Sequence, residues 1–509
     1  MIAKDLNESY TVIEGEINDL LKIANKLQVY QPGYQFTPAY RSGVWDGKKH
    51  FYTFTPNGMI IPKGLAESVT KHFNIPYECS FTPQKITKDE LLKFIETLNL
   101  PFQPRDYQIK AILTAINNPR KIIVSATGSG KSFIIYVVIR YFLHKNMRGV
   151  LVVPNISLVE QMYSDFKDYN WKNIDEYVHI IYQGKEKHFK KPLTITTWQS
   201  VYQNLHLFKE PDFILIDECH LAKAESLEKI LNASQNAKYK IGFTGTLPEN
   251  PVDRFTLTST LGKSETIITP KELIDLGYAT PVEVVMFFIN YNDEDKKYVR
   301  NIKNYQKEIK FIEEHFKRNV FITKLALKVT NNKNTLILYN KIKHGNFLMQ
   351  LLLSEKLGVE YDKIILSKEY FKIDGKKYKY EDYNIYYIRG EVEGVERERI
   401  RNILENKSNA ILIATYQTLS TGVNIKNLHN IFLTTPTKSF IRLNQTIGRG
   451  MRKHDTKDKV LMFDFVDDFS TVTKNGKVRY KNYCLKHADE RIRMYLQNGY
   501  NILEKEIKI

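Results

Sequence analysis

The feature that most restricts this chain is a rhythm. From about residue 103, short β-rich apolar runs alternate with helical patterns: KIIVSA, GVLVVP, LTITTW, DFILIDE and KIGFTGT. Runs that stay apolar at successive positions belong to strands covered on both faces, the mark of a parallel sheet with helices on each side. The rhythm pauses at ITPKELIDLGYATPVEV, then resumes with NTLILYN, YNIYYIRG, AILIAT, NIFLTT and KVLMFDFV. The expected fold class is therefore α/β, with two tandem parallel-sheet domains over 103–275 and 280–468. A small α+β module is expected over 1–100, and a basic, short, partly helical region over 471–509. A length of 509 residues fits three or four domains rather than one core.

Within the N-terminal module the period of apolar residues predicts helices over 16–27 and 88–97. Between them lies GYQFTPAYRSGVWDGKKHFYTFTPNG, aromatic and basic, with Asp46-Gly47 and Asn57-Gly58 as hairpin signals. Two readings stand for this stretch. Arg41, Trp45, Lys48 and Lys49 form a DNA-contacting surface, or the aromatics are the core of a small domain. The segment 361–387, dense in tyrosine and lysine, reads as a β-hairpin inserted into the second α/β domain. It is either a DNA grip or an ordinary solvated hairpin. A helix is expected over 486–497.

The net charge of +18 and a pI near 9.3 point to a polyanionic partner. Nucleic acid is the first candidate and an acidic membrane face the second; a basic surface with no partner is the bland alternative. Three cysteines, with no CxxC pair and no zinc spacing, argue against a disulfide framework or a structural zinc site. MIAKDLNESY has no signal-peptide core, and no apolar run approaches a membrane span. A cytoplasmic protein is expected.

SATGSGKS, residues 125–132, follows a short apolar strand and precedes an apolar helical run. Strand, glycine-rich turn and helix is the context of a phosphate-binding loop. Backbone N–H groups of Thr127, Gly128, Ser129 and Gly130 and the helix N-terminus can hold phosphate oxygens. Lys131 can reach the β- and γ-phosphates, and Ser132 can offer a hydroxyl to Mg²⁺. DFILIDECH ends a strand in Asp217-Glu218. Asp217 can hold Mg²⁺ there, and Glu218 can orient or deprotonate a water. QTIGRGMRK carries Arg449 and Arg452, three apart on one helical face. They suit a γ-phosphate as arginine fingers, or DNA phosphates.

Taken in order, these motifs resemble those of the superfamily 2 helicases and translocases. PRDYQ is similar to that family's adenine-reading element, with Arg105 and Gln108 as its polar residues. ATGSGKS is similar to motif I, which places Ser125 outside the loop, and DECH matches the DExH form of motif II. VPNISLVEQ and TITTWQS resemble strand-tracking elements, and FTGTLP stands where Ser-Ala-Thr is frequent. LILYN, ATYQTLSTGVNI and QTIGRGMR complete the second domain. The aromatic-basic segment and the tail extend the resemblance to the phage recombination helicases of that superfamily; the 361–387 insertion lies outside it.

The resemblance implies two RecA-like domains with ATP and Mg²⁺ in the cleft between them. It implies coupling roles for His220, Thr244, Thr246, Thr421 and Gly422, and a water- or γ-phosphate-positioning role for Gln445. Thr415 falls at a position linking the strand to ATP. Trp198 and Gln199 either face DNA or, for the tryptophan, fill the core. The implied activity is ATP-dependent DNA unwinding and branch migration at Holliday junctions, forks, D-loops and RNA–DNA R-loops, by a monomer in a host cytoplasm. Three rivals remain. One is a duplex translocase or RNA-preferring motor, another a non-enzymatic basic nucleic-acid-binding protein. The third, a kinase-like P-loop enzyme, is disfavoured by the second α/β domain.

Overall fold

The computed structural model describes every residue except 182–188, 202–203, 222–223, 303, 389–393, 417–424, 437–446, 449, 452 and 473–477. The chain forms two compact units, Met1–Ile268 and Thr269–Ile509.

The first unit is built on a seven-stranded sheet. Its order is Val178–Ile181, Leu193–Thr197, Gly149–Val153, Phe213–Ile216, Tyr239–Thr244, Arg120–Ser125 and Ser264–Ile268. Every neighbouring pair is parallel. GVLVV, LTITT, FILI and YKIGFT are buried at every position, as strands covered on both faces must be. The helix Lys131–His144 is buried from Phe133 through Ile139, which explains why its sequence is apolar on all sides.

The N-terminal module belongs to the same unit. Thr53–Thr55, Gly58–Pro62, Tyr10–Glu14, Ile2–Asp5 and Tyr77–Glu78 make a mixed sheet in that order. The Asn57-Gly58 signal is a hairpin, with Thr55 opposite Gly58. Asp46-Gly47 instead precedes Lys48–His50, which pairs antiparallel with Gln28–Tyr30. Helices span Ile17–Lys26 and Lys88–Glu96. The module's core includes Ile13, Leu20, Ile23, Phe51, Met59 and Ile61.

Buried cations fasten the module to the parallel sheet. The Lys240 ammonium donates to the Glu8 carbonyl (2.7 Å), the Ser9 hydroxyl (2.8 Å) and the Leu231 carbonyl (2.8 Å). Arg120 reaches the same Glu8 carbonyl. Phe51 packs on Phe255, with ring centroids 4.6 Å apart.

The second unit repeats the plan. Its order is Ile385–Ile388, Ile411–Thr415, Thr335–Tyr339, Asn430–Leu433, Val460–Asp468, Val282–Asn290 and Asn501–Lys508, again all parallel. The last strand comes from the segment expected to be only partly helical. NILEKEIK pairs with the Val282–Asn290 strand from Glu283↔Asn501 to Asn290↔Lys508. The helix before it, Tyr483–Gln497, packs through a buried Arg491 that clasps Asp464 at 2.7 and 2.9 Å.

The hairpin expected within 361–387 is a three-stranded antiparallel meander: Ile364–Leu366, Tyr370–Ile373 and Lys376–Lys379. Phe371 is fully buried beneath it, with Tyr378 and Tyr380 stacked on its ring. The segment's end, Ile385–Ile388, is the edge strand of the parallel sheet.

Candidate active site

Three adjacent strands of the first sheet, Phe213–Ile216, Tyr239–Thr244 and Arg120–Ser125, end at the same edge. The loops that follow them therefore meet: Asp217-Glu218, Gly245-Thr246 and Ala126–Gly130. Ligands of open α/β sheets bind at such carboxyl edges.

The phosphate loop is held from beneath. The buried Ser125 hydroxyl donates to the Ser129 hydroxyl at 2.7 Å, and the Ser129 N–H donates to the Ala126 carbonyl at 3.1 Å. Ser125 is the last residue of its strand, and its side chain braces the loop. Gly128 and Gly130 have φ of 86° and 85°, a region that favours glycine. A Cβ at Gly130 would lie 2.5 Å from the Gln108 amide nitrogen.

Gln108 explains that closeness. Its amide donates to the Ser129 carbonyl at 2.9 Å, and its oxygen accepts from the Arg105 N–H at 3.0 Å. The Tyr107 hydroxyl donates to the same Ser129 carbonyl at 2.9 Å, and the Arg105 guanidinium donates to that hydroxyl at 3.0 Å. The PRDYQ element thus grips the loop from its flank.

Lys131 opens the helix and turns back over the loop. Its ammonium lies 3.4 Å from the Ser125 carbonyl and 3.4 Å from Glu218 Oε1. Glu218 has φ of 46°, strained for a non-glycine residue, and this turn aims its side chain at Lys131. Burial pushes its carboxyl up. Lys131, His220 and the Gly245 N–H outweigh that effect and hold it below its ordinary value. Asp217 is pushed the other way, to about 7, by burial and then by the Glu218 charge. Two neighbouring carboxylates are thereby shifted in opposite directions, Asp217 up and Glu218 down.

His220 joins this centre to the middle strand. Its Nδ1 lies 2.5 Å from the Thr244 hydroxyl and 3.4 Å from Glu218 Oε2. The Thr244 hydroxyl donates to the Thr246 carbonyl at 2.6 Å. Burial lowers the pKa of His220, which favours the neutral ring. Its Nε2, like Glu218 Oε2 and the Thr246 hydroxyl, is buried without a hydrogen-bond partner. Thr127 is also at the centre: a Cβ on Gly245 would stand 3.2 Å from its hydroxyl and 3.5 Å from the Lys131 ammonium.

The Ser132 hydroxyl lies 2.9 Å from the Tyr169 hydroxyl. Ser132 and Asp217 carry oxygen donors, the ligand type that suits Mg²⁺. Among the described residues no cluster of three His, Cys, Asp or Glu could hold a metal alone.

Sequence reasoning missed Tyr107, Tyr169 and Gly245 at this centre. Tyr107 stood inside a quoted motif and was readable as a polar neighbour of Gln108. Tyr169 is separated from Ser132 by a strand and a helix, and nothing in its local sequence signals the contact.

The expected nucleic-acid residues fall into different settings. Trp198 is half-buried against the apolar core of the first sheet, while Gln199 is exposed and lies 3.4 Å from the Pro154 carbonyl. Arg41 is exposed, and its Nε donates to the Gln35 carbonyl. The Trp45 indole donates to the Lys48 carbonyl at 2.9 Å, and the Lys48 ammonium sits 4.9 Å over the Tyr30 ring. Tyr34 joins Tyr30 and Tyr40 in a ring cluster, which leaves Phe36 and Val44 exposed at the tip of this loop. Lys49 is not free: it pairs with Glu228 at 2.7 Å and helps dock the module. In the second unit Thr415 ends the Ile411–Thr415 strand and is buried. Thr421, Gly422, Gln445, Arg449 and Arg452 lie outside the described residues.

Comparisons with known proteins agree with this geometry. Residues 101–249 match the family "Type III restriction enzyme, res subunit", and residues 317–454 match "Helicase conserved C-terminal domain". The chain is 30% identical over 504 residues to the ATP-dependent DNA helicase uvsW of Enterobacteria phage T4, covering 94% of this chain and 93% of that protein. It is 26% identical over 396 residues to the type I restriction enzyme EcoAI endonuclease subunit of Escherichia coli, covering 72% of this chain and 46% of that one. Its fold is shared with a fragment of a putative HsdR subunit of a type I restriction enzyme from Vibrio vulnificus YJ016. That match has a TM-score of 0.55 and 20% identity, and covers 81% of this chain and 70% of the other. The two parallel-sheet domains, the gripped phosphate loop and the full-length similarity lead to one conclusion: the chain belongs to the UvsW family of superfamily 2, a family of ATP-dependent DNA helicases.

Proposed function

We propose that this chain couples ATP hydrolysis to unwinding and branch migration of DNA at Holliday junctions, forks, D-loops and R-loops. The proposed setting is phage recombination, repair and replication control, with a monomer acting in the host cytoplasm. The observation that carries the reading is the row of close side chains Lys131, Glu218, His220 and Thr244, with successive separations of 3.4, 3.4 and 2.5 Å. It connects the phosphate-binding lysine to the end of the middle strand through side chains alone. In this proposal the row relays a change at the γ-phosphate to the Gly245-Thr246 turn.

In this proposal the loop N–H groups and Lys131 bind the phosphates, and Glu218, held ionised, takes the proton of the attacking water. Ser132 and Asp217 hold Mg²⁺, which supplies charge neutralisation on the phosphates. Gln445, Arg449 and Arg452 are assigned to the γ-phosphate and its water, and Thr415, Thr421 and Gly422 to coupling with the strand. The aromatic-basic loop contacts DNA through Arg41, Trp45 and Lys48, and Gln199 adds a polar contact; Lys49 keeps a docking role.

The test compares ATP turnover and strand products on single strands, duplex, forks, Holliday junctions and R-loops. Stimulation with strand separation on branched DNA is expected. Lys131→Ala is expected to abolish turnover while junction binding persists. Absence of stimulation by every nucleic acid overturns the motor reading; turnover on plain duplex without strand products leaves a translocase.

A further inference from the structure

The meander of the second unit has two unlike faces. Cross-strand partners share a face, so the register sorts its residues. Ile364, Leu366, Phe371, Ile373 and Tyr378 face inward and join the unit's apolar core. Ile365, Tyr370, Lys372, Lys377 and Lys379 face outward. Among the described residues of these three strands, no carboxylate shares that outer face. Asp374 lies in the turn and Glu369 precedes the strand, while Lys377 and Lys379 are exposed and Ile365 is 63% exposed.

The charges are placed against the sheet's own stability. Lys372 stands directly opposite Lys377 in the ladder. Like charges in directly opposed positions repel, and a sheet selected for stability alone would put a carboxylate at one of them. Lys379 follows Lys377 by two residues, about 7 Å along the strand. Three lysines thus share one face of the meander. The Lys377 ammonium lies 4.8 Å over the Tyr370 ring. That ring is already occupied, so the face offers a backbone contact rather than a platform for unpaired bases.

We infer that this outer face binds the phosphate backbone of duplex DNA without reading its sequence. A duplex carries one negative charge per ~1.7 Å of axis, dense enough to engage three neighbouring lysines and relieve the Lys372–Lys377 repulsion. The exposed Ile365 packs on the sugar edge between the contacts. In a motor working at branch points, this patch holds one duplex arm. The inference rests on the proposed function and adds a second contact surface, in a different unit from the aromatic-basic loop.

The test is the triple variant Lys372→Gln, Lys377→Gln, Lys379→Gln in the full chain, with the matching Lys→Arg triple as control. Binding to duplex, a fork and a single strand of equal length is measured against salt. Three lost phosphate contacts are expected to reduce the slope of log K against log salt by about 2–3 on duplex and fork. Duplex affinity falls roughly tenfold or more at low salt. The arginine triple keeps the slope, and ATP turnover without DNA is unchanged in both variants. An unchanged slope on duplex overturns the inference and leaves the face to an acidic protein. An equal loss on single strands overturns the assignment to duplex. If the unaltered protein binds no DNA at all, the proposed function itself fails, a result distinct from either.

Discussion

The Nδ1 atom of His220 lies 2.5 Å from the hydroxyl oxygen of Thr244, and that hydroxyl is already donating to the Thr246 carbonyl. The hydroxyl proton is therefore committed, and the imidazole must be the donor at Nδ1. In the neutral ring that burial favours, Nε2 is then a bare acceptor in a buried site, with no hydrogen-bond partner. Thr244 sets the histidine's tautomer as well as its position. Thr244→Val keeps the shape and removes this bond. DNA-stimulated kcat is expected to fall about tenfold, equivalent to about 1.4 kcal/mol, while ATP affinity stays within about twofold. Steady-state kinetics separates the two; a rise in KM with unchanged kcat would contradict the assignment.

Gln108 and Tyr107 converge on one carbonyl, that of Ser129. Each neutral bond is worth about 1 kcal/mol, so Gln108→Ala should weaken ATP binding roughly fivefold. Tyr107→Phe should do somewhat less. Because both brace the same loop, the double variant is expected to deviate from additivity. Equilibrium nucleotide binding to the four proteins of the cycle checks this, and strict additivity would mean the two bonds act on separate features.

Acid should loosen the N-terminal module in a defined window. Burial pushes the Asp5 carboxyl up, but Lys63 at 2.7 Å and hydrogen bonds from Ser80, Thr11 and Tyr77 outweigh it, leaving it at about 2. The ordinary value is 3.8, so the folded state holds this proton less tightly than the unfolded chain. The stabilisation, about 1–2 kcal/mol, is present above pH 4 and is lost as pH falls from 4 towards 2. Pepsin cleavage within Met1–Glu78, followed across that range, should accelerate in the natural protein. Asp5→Asn should be weaker at pH 4 and lack the extra acceleration.

Removal of residues 501–509 should damage the second unit out of proportion to their burial. Ile502 and Ile507 are only half-buried, and most of the strand is exposed. Yet the Val282–Asn290 strand would be left with its backbone donors and acceptors unpaired along one side, a template for association between chains. The truncated protein is expected to aggregate in sedimentation at concentrations where the full chain does not.

The contrast between strands shows what sequence can convey. FILI and GVLVV are covered above and below, so each position is constrained and the run is apolar throughout. NILEKEIK is an edge strand with both faces largely open, so nothing forces an apolar pattern, and the run carries no strand signal within the basic 471–509 region. The phosphate loop and DECH were legible because phosphate chemistry demands particular residues at fixed spacing. The Glu218 backbone strain, the Tyr169 contact and the Lys49–Glu228 pair were not. Each depends on which distant segments the fold brings together, and no local residue choice records that.

The strand Val282–Asn290 takes both of its partners from far downstream, Val460–Asp468 and Asn501–Lys508. During synthesis its nine mostly buried residues leave the ribosome roughly 170 positions before the first of those partners is made. At about 5–20 residues per second, that is on the order of 10–30 seconds of exposure. VEVVMFFIN is therefore exposed for a long interval during synthesis, and slow translation through 291–459 would lengthen that exposure.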